Sequence, residues 1–463
     1  MLDDNNLRMK ILYIIPYVPY PLQSGGNQAF FNFANETRKE HNVSLLLNIR
    51  NDIDKNNVDE LKKVWPDVTI YEYEKKNEPV LQSKQEDTQE SMLPIPKCVR
   101  RQIRLFEKIK QSMERKIARR YNKYRVVTIN NGTTENNNNE KIFDIGENVR
   151  KHSTLYNKVC DFDDAYLEFV NDICRKGFDL IQTEFFECLP LVYLMPKDVK
   201  KVFVHHELRF IRIENEISLF DNVSAADRIL FNEIKNQELA MLKHYDKVIV
   251  LTDIDREILR KELDNLDIYV SPAVTDAAKA REVLPFKQAH DLVFIGSGDH
   301  FPNADGVLWF CDKVVPFLNK MNFNGKVFIV GKWNEDTKKC AEKLYPQIVF
   351  TGFVDDLMGF INGKISIVPI RIGSGMRMKI LDTVAACAPI VTTSKGCEGL
   401  PFINMQDYII ADAPEEFAKA IISMQKDTEK QKDMANNVGK KLHGIMNAQE
   451  LTERRMTFYR NIK

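Results

Sequence analysis

The chain has no Cys-x-x-Cys pair, no long apolar run and no net charge, and each absence removes a class of protein. The eight cysteines are scattered at Cys98, Cys160, Cys174, Cys188, Cys311, Cys340, Cys387 and Cys397, several of them in apolar stretches. That usage fits buried thiols in a reducing compartment and speaks against a disulfide framework or a zinc cluster. The eight histidines are equally dispersed, so no metal-ligand spacing emerges and no resident metal or cofactor is expected. No stretch approaches the roughly 18 apolar residues of a spanning helix. The run from Ile11 to Ile15 is closed by Pro16, too short for a signal peptide. With 66 basic and 66 acidic residues, overall charge points to no nucleic acid or other polyanion. These features place the chain in the cytoplasm. Nor does the first apolar strand lead into Gly-x-Gly-x-x-Gly, which sets a nicotinamide dehydrogenase aside.

What is present is the composition of a soluble α/β protein, 44% hydrophobic and 29% charged over 463 residues. That length implies two or three domains. Buried strands are expected at Lys10–Ile15, Val43–Leu47, Val68–Tyr71, Leu180–Gln182, Val202–Val204 and Val248–Leu251, with helical stretches between them, the clearest from about Ala225 to Tyr245. A second alternating set begins at Leu292 and continues through Val327–Val330, Ile348–Phe350, Ile365–Val368 and Ile390–Thr392, with a helix near Asp305 to Leu318. Pro272 and Pro285 mark the linker between the two sets. Between about residues 75 and 160 the alternation breaks, and the polar tract Asn130–Asn139 has nothing to bury.

The most informative segment is Val368-Pro369-Ile370-Arg371-Ile372-Gly373-Ser374-Gly375-Met376-Arg377-Met378-Lys379-Ile380-Leu381-Asp382. An apolar strand enters a Gly-Ser-Gly turn, two cations follow, and a carboxylate sits one helical turn further on. Glycines let backbone N–H groups approach a phosphate, and the helix that follows turns its positive end toward that ligand. Arg377 and Lys379 then suit a diphosphate, and Asp382 the hydroxyls of a ribose. Standing alone, such a turn is more often a solvated helix start. Its place at the carboxyl end of a buried strand favours the ligand.

In sequence order, Phe294-Ile295-Gly296-Ser297-Gly298, Phe328-Ile329-Val330-Gly331, Thr351-Gly352-Phe353-Val354-Asp355-Asp356-Leu357 and the Gly-Ser-Gly loop continuing to Gly396-Cys397-Glu398-Gly399-Leu400 make an ordered set. The set resembles family 4 of the retaining glycosyltransferases, of the group 1 type with the GT-B fold, over roughly residues 290 to 425. The amino half is similar more weakly, through Gly25-Gly26 and the His205-His206 strand end. The resemblance implies an α/β GT-B fold of two Rossmann-like, doubly wound parallel-sheet domains facing across a cleft, with a helical or disordered insertion in the first. It divides the chain into an acceptor-side domain over 1–275, a nucleotide-sugar-binding domain over 286–440 and a final helix over 441–463 that crosses back to the first domain. It implies metal-independent transfer of a sugar from a nucleotide-diphosphate donor to a glycan or lipid-linked acceptor, the donor being a co-substrate. The family's two glutamates, the first near the donor sugar and the second on the ribose, correspond here to Ser374 and Asp382. The first carboxylate is therefore missing.

Arg377 and Lys379 are the expected diphosphate clamp, with Gly296, Ser297, Gly331, Gly373, Ser374 and Gly375 around the donor and Glu398 contacting it or organising its loop. Gly25 and Gly26 serve the phosphate or the acceptor; the prolines nearby suit a simple turn as well. His205 and His206 both end a strand, but neighbours in extended chain point to opposite faces, so at most one lines a cleft. His206 is the choice, because the acidic Glu207 follows it. Glu184 and Glu187 follow a strand and could serve the acceptor, but read more readily as a solvated helix start. The stretch Cys98–Arg125 carries eleven Lys or Arg against Glu107 and Glu114, with apolar residues at helical spacing. It suits peripheral contact with an anionic membrane at the inner face, and equally packing on the first domain. Without the first carboxylate, a non-catalytic sugar-nucleotide-binding protein of the same fold, or another GT-B enzyme such as a sugar-nucleotide epimerase, stands as the competing reading.

Overall fold

The computed structural model describes residues 8–22, 25–74, 145–274, 283–445 and 448–461. The basic stretch Cys98–Arg125 and the polar tract Asn130–Asn139 lie outside the described residues.

β1 (Lys10–Ile14) is apolar on both faces, with Ile11, Leu12, Tyr13 and Ile14 all fully buried. A strand with two buried faces belongs in the middle of a parallel sheet covered by helices on each side. It pairs in parallel with β2 (Asn42–Ile49) on one edge and β4 (Leu180–Glu184) on the other. With β3 (Thr69–Glu74), β5 (Lys200–His205), β6 (Lys247–Val250) and β7 (Ile268–Val270) these form a seven-stranded sheet in the order β3-β2-β1-β4-β5-β6-β7. The second sheet repeats the plan with β8 (Asp291–Ile295), β9 (Val327–Val330), β10 (Ile348–Gly352), β11 (Lys364–Val368), β12 (Ile390–Thr392) and β13 (Ile409–Ile410), in the order β10-β9-β8-β11-β12-β13. Every strand pair is parallel. Both sheets belong to one compact unit of the chain.

Each sheet reverses its winding once, between β1 and β4 in the first and between β8 and β11 in the second. Loops leaving adjacent strands in opposite directions open a crevice at the strands' carboxyl ends. That rule locates the site before any side chain is considered.

Three elements depart from the expected boundaries. The helix of the second domain starts at Phe301, with Pro302 in its first turn where a missing N–H is harmless, and continues through a π-helical turn at Phe310–Val314 into Val315–Lys320. The alternation resumes by residue 145: helix Ile145–His152 puts Val149 into the first domain's core beside Leu155 and Tyr166. The short strands β7 and β13 were too brief for a periodic signal. At the far end, helix Ala448–Arg460 packs Leu451, Met456 and Tyr459 against Phe30 and Phe33 of helix Gly25–Glu40. Arg455 stacks on Phe33 and donates from Nε to Ser271 Oγ at 3.1 Å. The last helix therefore closes on the first domain.

Candidate functional site

After β11 the chain runs through Ile370, buried in the second domain's core, and Ile372, which joins the first domain's. Gly373 (φ +116°) and Gly375 (φ +76°) hold conformations that side chains resist, and both are also needed for space. A Cβ on Gly375 would sit 2.1 Å from the His206 carbonyl oxygen. One on Gly373 would sit 2.6 Å from Glu207 Oε1 and 2.9 Å from Arg377 Nη2. The Gly373-Ser374-Gly375 loop of the second domain thus lies directly against the end of β5 in the first.

Hydrogen bonds fix that contact. Ser374 Oγ accepts from the Leu208 N–H at 2.7 Å, the Gly373 N–H donates to Asn215 Oδ1 at 3.2 Å, and the Ser374 N–H donates to Glu207 Oε1 at 3.3 Å. Arg377 braces the loop from below, donating to the carbonyls of Ser374 (3.1 Å), Lys395 (3.3 Å) and Ile372 (3.4 Å). These bonds leave part of the guanidinium free to take an anion, since it carries five N–H groups. Lys395 pairs with Glu398 through its ammonium, so Glu398 organises the loop that supports Arg377.

Lys379 lies in the first turn of helix Met378–Ala385, its ammonium 4.6 Å from the centre of the Phe294 ring. It donates to Asn303 Oδ1 at 2.5 Å, and Asn303 Nδ2 donates in turn to the Ser297 carbonyl at 2.9 Å. The two glycine loops of the second domain are therefore joined through one amide. Burial, reinforced by Arg377, lowers the Lys379 ammonium to about 7. Gly296 and Gly331 meet closely as expected of crossing loops: a Cβ on Gly331 would lie 2.6 Å from the Gly296 carbonyl. Asp382 is half-buried on the same helix as Lys379, one turn on.

The two adjacent histidines separate completely. His205 is fully buried and meets Glu238 Oε1 at 2.7 Å. Glu238 also accepts the Arg209 N–H (3.0 Å) and the Phe210 N–H (2.9 Å), capping helix Arg209–Ser218 from a neighbouring helix. His206 turns to the crevice. Its ring stacks on Phe185 with centroids 4.0 Å apart, and its Nε2–H donates to Glu184 Oε2 at 2.7 Å. Glu184, expected at a solvated helix start, is instead the last residue of β4 and 1% exposed. A parallel strand covered on both sides buries its end residue, and the histidine and Gln182 satisfy the carboxylate. Phe185 itself has φ +67°, an uncommon conformation for a bulky residue. Its ring also packs at a tilt against Tyr17, with centroids 4.7 Å apart, and a Cβ on Gly26 would meet it at 3.0 Å. Gly25 lies under Met378, whose side chain a Cβ there would meet at 2.8 Å.

The contacts thus bring His206 to the Gly373-Ser374-Gly375 loop and join Lys379 to Ser297 through Asn303. Four residues that matter were not selected from the sequence: Glu207, Asn215, Asn303 and Arg212. Glu207 was used only as a marker for His206. An asparagine in the first turn of the helix that follows the strand-end glycines was the available signal for Asn303. In the first domain a cavity of about 680 Å³ adjoins this region, lined by Asn48, Arg50, Tyr156, Phe186, Glu187 and Arg209 among others. Among the described residues no group of three or more His, Cys, Asp or Glu could hold a metal ion, and no helix is long and apolar enough to cross a membrane.

Comparison with known proteins agrees with the two-sheet fold. An uncharacterized 44.6 kDa protein in the cps region of Klebsiella pneumoniae is 29% identical over 156 residues, 32% of this chain and 40% of that protein's length. Among solved structures, TarM superposes with a TM-score of 0.64 at 12% identity, covering 98% of this chain and 99% of its own. An S. aureus TarM mutant in complex with fondaparinux, alpha-GlcNAc-glycerol and UDP gives 0.60 at 11% identity over 97% and 99% of the two chains. Anabaena HepE in complex with UDP and glucose gives 0.54 at 10% identity over 98% and 100%. The architecture is GT-B, and residues 289–427 match the family model described as Glycosyl transferases group 1.

Proposed function

We propose that this chain is a glycosyltransferase that moves a sugar from a nucleoside-diphosphate donor to a glycan or lipid-linked glycan acceptor, with retained configuration and without a metal. The observation that carries the reading is the Gly373-Ser374-Gly375 loop at the end of β11, with Arg377 and Lys379 behind it and His206 and Glu207 opposite. The family match over the same residues supports it.

Breaking the bond between sugar and nucleotide leaves a diphosphate whose negative charge grows as the bond lengthens. Fixed cations aimed at it stabilise that charge, usually the largest single contribution to catalysis. Arg377 and Lys379 take this part, with the N–H groups of Gly375 and Ser297 as further donors. Asp382 holds the ribose hydroxyls. His206, oriented by Glu184 and Phe185, addresses the donor sugar from the first domain. The acceptor enters from the first domain's cavity, where Asn48, Arg50 and Glu187 offer hydrogen bonds and Tyr156 and Phe186 offer rings. UDP in the TarM and HepE complexes makes uridine the first base to try. Work on a lipid-linked acceptor at the inner face of a membrane, through the basic stretch Cys98–Arg125, is part of the same proposal.

The test is calorimetric titration of wild type and Arg377→Ala with UDP, ADP and GDP and their common sugar conjugates. Selective binding of one base, weakened at least about tenfold in the mutant, is expected for a charge-assisted phosphate contact. Folded wild-type protein that binds no nucleotide would refute the reading.

A further inference from the structure

The crevice holds one charged group that the diphosphate reading leaves without a task. Glu207 belongs to the first domain, yet its Oε1 accepts the Ser374 N–H of the second at 3.3 Å. Its other oxygen accepts from Arg212 Nη1 at 3.1 Å. Arg212 is locked in turn by Glu216 Oε1 at 2.9 Å, and Glu216 Oε2 accepts from Ser153 Oγ, the Thr154 N–H and Thr154 Oγ1 at 2.7, 2.8 and 3.1 Å. Three elements are thus spent on holding one carboxylate at a loop it does not belong to. A structural ion pair needs no such contact with Gly373. Here the carboxylate and the Arg377 guanidinium both reach the point where a Gly373 Cβ would be, at 2.6 and 2.9 Å.

A transferring sugar asks for that pairing of opposite charges. While the diphosphate gains negative charge, the ring carbon it leaves gains positive charge, in an oxocarbenium-like transition state. A cation toward the leaving group and an ionised carboxylate toward the ring stabilise both ends. The loop itself offers no carboxylate: residue 374 is serine, and its hydroxyl is committed to the Leu208 N–H.

We infer that Glu207 is the carboxylate that faces the donor sugar, supplied to the second domain's loop by the first. The assignment rests on the donor-site reading above and adds the residue that reads the sugar. It also makes the complete donor site a property of both domains, since only their contact brings Glu207 to Gly373.

The test compares a bare nucleoside diphosphate with its sugar conjugate, using UDP and UDP-glucose, UDP-N-acetylglucosamine, GDP-mannose and ADP-glucose with their diphosphates as probes. In Glu207→Ala the Kd for the diphosphate stays within about threefold of wild type, while the Kd for the sugar nucleotide rises about tenfold or more, the scale of one lost charged hydrogen bond. Where Glu207→Ala does not fold, Glu207→Gln keeps the volume and the acceptor oxygen, and the same convergence of the two affinities is expected. Unchanged affinities for both ligands would overturn the assignment. So would a diphosphate bound about tenfold more tightly by the mutant, for the carboxylate would then merely occupy the phosphate position and obstruct it. A wild type that binds neither ligand refutes the donor-site reading itself; a wild type that binds both, indistinguishable from its mutant, refutes only the role of Glu207.

Discussion

His206 Nε2 and Glu184 Oε2 stand 2.7 Å apart at the ends of neighbouring strands β5 and β4, while His205, one residue earlier, makes an equally short contact with Glu238 inside the fold. The two histidines are chemically alike and physically opposite. Removing His205 strands a buried carboxylate that caps a helix, so His205→Ala is expected to cost about 3 kcal/mol of stability. His206→Ala removes one partner of the equally buried Glu184, which keeps Gln182, so it too should lower the denaturant midpoint, by about 1–2 kcal/mol. In addition it should lower donor turnover by about a hundredfold. Melts and donor-cleavage rates on both variants decide the matter; an equal loss of turnover in folded His205→Ala would contradict the division of roles.

Gly375 of the second domain packs directly against the His206 backbone of the first. Alanine there has to accept φ +76° and a methyl group 2.1 Å from the His206 carbonyl. The conformational part alone costs about 1 kcal/mol, and the clash is relieved only by moving the loop away from β5. Gly375→Ala should therefore weaken sugar-nucleotide binding by about tenfold or more while each domain stays folded. Calorimetry alongside far-ultraviolet circular dichroism reads both effects.

How much of this was legible in the sequence follows from how local each signal is. Continuous apolar runs such as Ile11–Ile14 and Ile365–Val368 announce parallel strands, because a strand buried on both faces needs no partner to be recognised. The Gly373-Ser374-Gly375 turn with Arg377 and Lys379 is contiguous, and so was readable. The partners of these residues were not, because they come from across the fold: Glu207 lies 167 positions from Ser374, and Asn303 lies 76 from Lys379. Glu184 was misread for the same reason. A glutamate after an apolar strand looks solvated until a histidine 22 residues away is found to cover it.

On the proposed donor reading, Lys379 should make nucleotide binding depend on pH near neutrality. Burial and the nearby Arg377 lower its ammonium to about 7, so above that pH the free protein holds it increasingly uncharged. A bound diphosphate favours the charged form and raises it again. Binding at pH 8 should thus take up a proton, and affinity should fall as pH rises from 7 to 9. Titrations in buffers of different ionisation enthalpy measure the uptake directly, and Lys379→Arg, which stays charged, should abolish it. A pH-independent affinity in wild type would mean that the ammonium lies away from the phosphates.

Stability at low pH tests a group outside the crevice. Asp227 is the third residue of helix Ala225–Leu242, where its carboxylate accepts the Ser224 N–H at 2.8 Å in a reciprocal capping box. Burial alone would raise its carboxyl; the Ser224 N–H, the Tyr156 and Ser224 hydroxyls and the Arg150 guanidinium outweigh it and hold the group at about 2. A carboxyl lower in the folded state than in the unfolded one stabilises the fold above the unfolded value of about 4. That stability is lost as pH falls from about 4 through 2. The displacement amounts to about 2 kcal/mol at neutral pH. Asp227→Asn should lower the denaturant midpoint at pH 7 and flatten its fall across the acid window, because the amide keeps the cap but has no proton to gain. Parallel slopes for mutant and wild type between pH 4 and 2 would assign the acid sensitivity to other carboxylates, of which Glu207, also held at about 2 against its burial by Arg212, Arg209 and Arg377, is the first to examine.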